Sequence, residues 1–440
     1  MNKAGAKTTA KFVAPTILSM VSVFLYTIVD GVFVGRGVGS DALGAVNIAF
    51  PYVMFFTAFV MMATIGGLTI TAIRMGRGDK EGANASFMHS LVLTAGIGVV
   101  ATVIGMFFTE ELARLLGADD GYLEPVCDYL YWYSVFLIPC GICSTFNGAA
   151  RNDDAPVLVS AVTIVATSLN IIGDYVLIFP LGMGVKGAAI ATGAAQTVAV
   201  FLVLPHFLGK KGVLSIKPVK LDMKLVRKIF LRGAPECISQ FASPMSIMLT
   251  NIVLSRTLGD GAINAFSVIG YVASFSAAIF IGTAEGIQPL LGRSYGEKNE
   301  AALKYYFRAA LRISFIGSVI VSVVIYLLWG RFLTLFAVDG TTRECAEYAI
   351  LRYMPGFLLQ AVIVIVNAYL YSTTRTKYAI VINLLRSFVF DTAIILLVPR
   401  FFGTELIWLT FAMYEGASLL VAFILLRIAD KNGAIGNSTE

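Results

Sequence analysis

Seven ionisable side chains stand inside or at the edge of long apolar runs: Asp30, Asp174, Glu236, Glu285, Arg386, Asp391 and Glu415. An ionisable group in hydrocarbon costs several kcal/mol, so each needs a partner or a function. Asp30 and Asp174 are the most informative pair. Each lies about six residues, roughly 9 Å along a helix, beyond the centre of an apolar run that travels in the same direction. Two carboxylates would then share one depth, with Asn170 one turn before Asp174 on the same helix face. Carboxylates held close in a low dielectric cannot easily both stay charged. One proton would relieve them, as would one sodium ion with the Asn170 amide oxygen assisting. The same aspartates would also serve as helix-end caps or as partners of a structural donor.

The second half of the chain offers different chemistry. Arg386 and Asp391 lie near the middle of one run, five residues apart, which is about 140° around an α-helix and imperfect for an intrahelical pair. A structural ion pair between Arg386 and Glu415 and a substrate contact are both open readings. Glu285, within Gly282-Thr-Ala-Glu-Gly286, would either face a water-filled cavity or be solvated near a helix end.

The elements that position these groups follow from composition. The chain has 440 residues, 58% of them hydrophobic and 14% charged, with a mean hydropathy of +0.81. A soluble protein could not hide that much apolar surface. Apolar runs long enough to span a bilayer are expected near 12–35, 43–73, 87–109, 126–150, 156–181, 185–208, 233–257, 262–292, 306–330, 346–372, 378–399 and 405–427. The first is too long for a signal peptide and lacks a small-residue cleavage site. Cys140 and Cys143 have no second pair and no nearby histidine, so packing in a helix is expected rather than zinc. With only His89 and His206 in the chain, histidine-metal and haem chemistry are not expected.

Of the 33 Lys and Arg residues, 24 fall in one set of alternate loops and 8 in the other, with Arg386 inside a span. That bias predicts an even span number and both termini in the cytoplasm, as in a multi-pass protein of a bacterial inner membrane. Residues 209–232 hold eight basic side chains against Asp222. They read as a linker between lobes 1–208 and 233–440, either a short amphipathic helix on the anionic leaflet or a plain loop. The halves repeat at a spacing of 220: Pro15 with Pro235, Arg36 with Arg256, Gly39 with Gly259, Ala42 and Ala45 with Ala262 and Ala265. Arg74–Lys80 also resembles Arg293–Lys298, with the spacing slipping by one or two. The expected fold is an all-α membrane protein of twelve transmembrane helices, in two six-helix lobes related by pseudo-two-fold symmetry.

The chain resembles the multidrug and toxic compound extrusion (MATE) transporters, in the branch of MepA-like pumps. The resemblance rests on Asp30-Gly-Val-Phe-Val-Gly35; on Arg151, Pro156, Asn170-Ile-Ile-Gly-Asp174, Pro180, Gly187-Ala-Ala-Ile-Ala-Thr192 and Gln196; and on Gly233-Ala-Pro235, Gln288-Pro289 and Arg386 leading to Pro399. It covers nearly the whole chain. It implies an antiporter that exports cationic or amphipathic organic compounds by alternating access, driven by protons or sodium ions. It also implies a first-lobe cation site at Asp30, Asn170 and Asp174. Asp391, Arg386, Glu285, Gln360 and Gln288 are the candidate substrate contacts. Two departures stand out: Gln360 occupies the place of a second-lobe acid found in some members, and Asp391 is an acid where an apolar residue is usual. A lipid-linked saccharide flippase is the alternative, and it would need several basic residues within the spans. An enzyme is not expected, because no nucleophile–base set or metal cluster is visible. Organic cations and the bilayer are the expected partners, with no nucleic acid, no cofactor beyond the coupling ion, and a monomeric state.

Overall fold

In the computed structural model, residues 3–38, 40–209, 212–335 and 340–431 are described; Gly39 of the repeat, Lys210 and Lys211 of the linker, and the C-terminal residues 432–440 lie outside them. The chain divides into two compact units, 14–237 and a second made of Met1–Val13 with Ile238–Glu440. Its helices run α1 (Lys3–Gly37), α2 (Ser40–Gly76), α3 (Lys80–Phe107), α4 (Thr109–Leu115), α5 (Leu123–Val135), α6 (Leu137–Asn152), α7 (Pro156–Ile178) and α8 (Gly184–Leu208). They continue with α9 (Met223–Thr257), α10 (Asp260–Gly296), α11 (Glu300–Leu335), α12 (Gly340–Ser372), α13 (Thr376–Leu384), a π-helical turn (Leu385–Phe390), α14 (Asp391–Phe402), a 3-10 turn (Thr404–Leu409) and α15 (Thr410–Lys431). Among the described residues there is no strand. Among the described residues eleven helices, counting α13–α14 and the final turn with α15 as single elements, are long and apolar enough to cross a bilayer.

A further apolar pair, which makes a twelfth span if it crosses as one, is bent. Instead of one straight helix over 126–150, α5 and α6 meet at 50°. Pro139 lacks the N–H that would bond the carbonyl of Val135, the last residue of α5, so the chain is one helical bond weaker at the bend. The linker also differs from the amphipathic-helix expectation. Residues 212–222 are irregular, and 223–232 form the first turns of α9. Side chains pin this segment to the first unit. Asp153 accepts from the backbone N–H of Val213 at 2.8 Å and pairs with His206 at 3.0 Å. Asn84 accepts from Ser215 at 2.7 Å, and His89 Nε2 accepts from Asp222 at 2.9 Å.

Inside a bilayer every polar group needs a protein partner. Many hydroxyls bond a carbonyl one turn back, as Thr71 does to Gly67 and Ser276 to Val272. Others tie helices together: Thr94 to Thr145 at 2.9 Å, Asn152 to the Leu68 carbonyl at 2.8 Å, Asn367 to Asn383 at 2.8 Å. The first unit closes around Phe87, Phe146 and Phe207, whose rings lie 4.8–6.4 Å apart. In the second, Tyr353 stacks on Phe411 at 4.4 Å beside the buried Phe357.

The 220-residue repeat is written in the turns as well as in the sequence. Gly78 and Lys298 both take positive φ, as do Asp154 and Thr374. Asp79 accepts from Gly82 N at 2.8 Å to cap α3, and Asn299 accepts from Ala302 N at 3.0 Å to cap α11. The spacing at this turn is therefore 220 without slippage.

Each unit also contains a helix end from the other half of the sequence. Met1–Val13 belongs with 238–440, where Gly286 lets its helix approach the backbone of Phe12 and Val13 to about 2.8–2.9 Å of an added Cβ. Residues 223–237 of α9 belong with 14–237, where Gly66 and Gly233 allow α2 and α9 to touch backbone to backbone. A Cβ on Gly66 would strike the Ile229 carbonyl, and one on Gly233 the Met62 carbonyl. Gly66→Ala and Gly233→Ala are each expected to lose about 1–3 kcal/mol of stability. Thermal unfolding of the detergent-purified protein would show it, and unchanged midpoints would refute the tight crossing.

Candidate functional site

The first unit brings α1 and α7 side by side in parallel. Ser19 donates to Ser160 at 2.9 Å, and further along Phe33 meets Tyr175 and Phe179 at 6.2 and 5.7 Å. Between these contacts the carboxyl groups of Asp30 and Asp174 come within hydrogen-bonding reach of each other. Asp174 is fully buried and neither of its oxygens has a donor; Oδ1 of half-buried Asp30 also lacks one. Asn170 is 3% exposed, donates to Thr192 on α8 at 3.1 Å, and keeps its own Oδ1 unpartnered. Gly173 and Gly187 let α7 and α8 close enough for that bond. Tyr26 and Tyr129 lie within electrostatic reach of both acids. The sequence reading did not single out Tyr26; its signal is a tyrosine one turn before Asp30 on the same face.

The second unit holds the other charged set around a cavity of about 440 Å³. Arg386 grips Glu415 with both arms of its guanidinium, Nε to Oε2 at 3.0 Å and Nη2 to Oε1. Glu415 is fully buried and Asp391 is 2% exposed. Arg386 and Asp391 do not stand 140° apart as an α-helix would place them, because the chain is not α-helical there. Through the π-turn the N–H of Asp391 bonds the carbonyl of Arg386, an i to i+5 bond that stacks residues five apart. Both side chains therefore line the same cavity, together with Gln360. Glu285 and Gln288, on α10, are not among its lining residues. Asn251, Ser246, Tyr353 and Trp408 line it too and were missed. Asn251 carried a signal: an amide among the apolar residues between Met245 and Leu254.

Counterparts at the 220-residue spacing differ sharply in chemistry. Asp30, Asn170 and Asp174 correspond to Thr250, Phe390 and Ile394, so the repeat does not carry the paired carboxylates into the second unit.

The family model MatE matches the chain twice, over residues 15–176 and 235–396, and the two matches are themselves 220 residues apart. The chain belongs to the MATE family. Among curated MATE relatives, the multidrug export protein MepA of Staphylococcus aureus (strain bovine RF122 / ET3-1) is 22% identical over 424 residues, covering 94% of this chain and 92% of that protein. MepA of Staphylococcus saprophyticus is 22% identical, covering 95% and 91%. A solved multidrug resistance MATE family transporter of the MOP superfamily superposes with a TM-score of 0.91 at 22% identity, covering 97% and 96%. A MOP superfamily transporter from Pyrococcus furiosus, whose binding pocket is described as of reverse polarity with a suggested different function, superposes with a TM-score of 0.90 at 21% identity, covering 98% and 97%. The MATE fold of two six-span repeats, up to twelve spans in all, thus agrees with the sequence expectation.

Proposed function

We propose that this MATE protein is an antiporter that exports cationic or amphipathic small organic compounds, and that Asp30 and Asp174, with Asn170, take up the driving proton or sodium ion. The observation that supports this reading most is the contact between two carboxyl groups with no donor on either side of Asp174. Two unit charges about 4 Å apart repel by roughly 4 kcal/mol at an effective dielectric of 20. A proton shared between them, or a sodium ion bridging them, removes that repulsion. Arrival and departure of the ion then favour different packings of α1 against α7 and α8, which is a population shift that a gradient can drive. The flippase reading has less support, since Arg386, the cation the sequence places within a span, is already held by Glu415.

The test is transport by the full chain in proteoliposomes loaded with ethidium. An imposed proton or sodium gradient is expected to drive ethidium across the membrane against its own gradient. Rates identical with and without either gradient would remove the antiport reading.

A further inference from the structure

The cavity of the second unit has an electrostatic balance that the first unit's site lacks. Two charged side chains line it, Arg386 and Asp391, and Arg386 is paired behind the wall with the fully buried Glu415. Glu415 neutralises the Arg386 guanidinium through Nε and Nη2, so one negative charge is left over on Asp391. The Ser246 hydroxyl bonds that carboxylate, yet its Oδ1 remains buried with no donor. Two further acceptors at the same cavity, Asn251 Oδ1 and Gln360 Oε1, are buried without a donor as well. A buried acceptor left unpaired is costly, so three around one cavity call for an occupant that brings hydrogens. Rings of Tyr353 and Trp408 supply flat apolar wall beside them.

We propose that this chamber binds organic cations that carry N–H groups, namely primary ammonium, guanidinium or amidinium ions on a flat apolar body, and discriminates against quaternary ammonium ions of the same shape. This rests on the export reading and sharpens its substrate class. The cation's charge is matched by Asp391, and its hydrogens are shared among Asp391, Asn251 and Gln360. The body lies against Tyr353 and Trp408, where ring faces favour a cation. A quaternary ion keeps the charge match but leaves every acceptor unpaired. A site built to hydrogen-bond a group rejects the analogue that lacks it far more strongly than an apolar pocket rejects an extra methyl. The size agrees: about 440 Å³ falls within the range of small-molecule pockets.

The experiment is calorimetric binding to the full chain in detergent, using 1-naphthylmethylammonium and its N,N,N-trimethyl derivative at neutral pH, where both carry one charge. The primary amine is expected to bind roughly tenfold or more tightly than the quaternary ion, one unpaired acceptor alone accounting for about that factor. Gln360→Met, which keeps side-chain length and removes the acceptor, is expected to shrink the ratio, and Asn251→Leu supplies the same reading if that variant does not fold. Equal or tighter binding of the trimethyl derivative, no binding of either cation, or a ratio unmoved by both substitutions would overturn the proposal. Binding needs no gradient, so the two readings can fail separately. Selective binding without gradient-driven export of the bound primary amine removes the antiport reading alone, whereas driven export with no preference for N–H in binding removes this one alone.

Discussion

The Asp174→Asn protein is expected to fold and to bind organic cations, while its gradient-driven export falls to the leak of protein-free vesicles. Asparagine is nearly isosteric with the protonated acid and carries no charge, so the repulsion that distinguishes the empty site from the loaded one disappears. The variant then rests in the packing that the bound ion would otherwise favour. Asp30→Asn is expected to behave the same way, because its carboxyl is in contact with that of Asp174. The double variant should be little worse than either single one, since residues that act as one unit are non-additive. Stability should not fall, for asparagine relieves a like-charge contact in a buried place. Near-normal gradient dependence in either single variant would sink the shared site, and independent additive losses would point to two sites.

Glu415→Gln is expected to be among the most destabilising single changes in the second unit. It leaves the Arg386 guanidinium charged in a low-dielectric interior with its bidentate partner gone. Breaking a buried pair on one side costs about 3–5 kcal/mol. Replacing both partners together, Arg386→Met with Glu415→Leu, is expected to recover most of that loss, because neither charge is then left alone. Thermal unfolding followed in detergent, with the yield of monodisperse protein as a second readout, measures both. A Glu415→Gln midpoint equal to that of the unaltered protein would show that the pair carries no structural weight. A double variant as unstable as the single one would place the loss in packing around Glu415 rather than in the charge.

The spans were legible because hydrocarbon imposes one rule on every helix that crosses it, and composition alone obeys that rule. The repeat was legible too, though its register at Lys298 became clear only from backbone angles, where a lysine stands in a turn conformation that Gly78 adopts without strain. The approach of Asp30 to Asp174 could be read from depth, since two parallel helices convert equal residue counts into equal height. The second-unit cavity could not. Arg386 and Asp391 share a face only through a π-turn, and that departure from 3.6 residues per turn leaves no mark in apolar periodicity. The break at Phe136 was not readable from Pro139, since Pro51, Pro289 and Pro355 lie inside continuous helices, and apolar residues on both sides gave it the look of one span. Of the linker's two readings, a helix on the membrane and a plain loop, the loop describes residues 212–222, where bonds from Asp153, Asn84 and His89 hold the backbone in an irregular path.

The exchange of helix ends between the units bears on how the protein can be made. Residues 14–237 are complete as soon as Cys237 has been synthesised, but Met1–Val13 must wait for Gly286. At about 5–20 residues per second that wait is roughly 15–60 s. The segment up to Val13, made before the rest of α1, is therefore placed only after the second unit has begun to form, and has to be kept from competing partners meanwhile. Two halves expressed as separate chains, cut anywhere in 209–222, would each carry a helix end meant for the other.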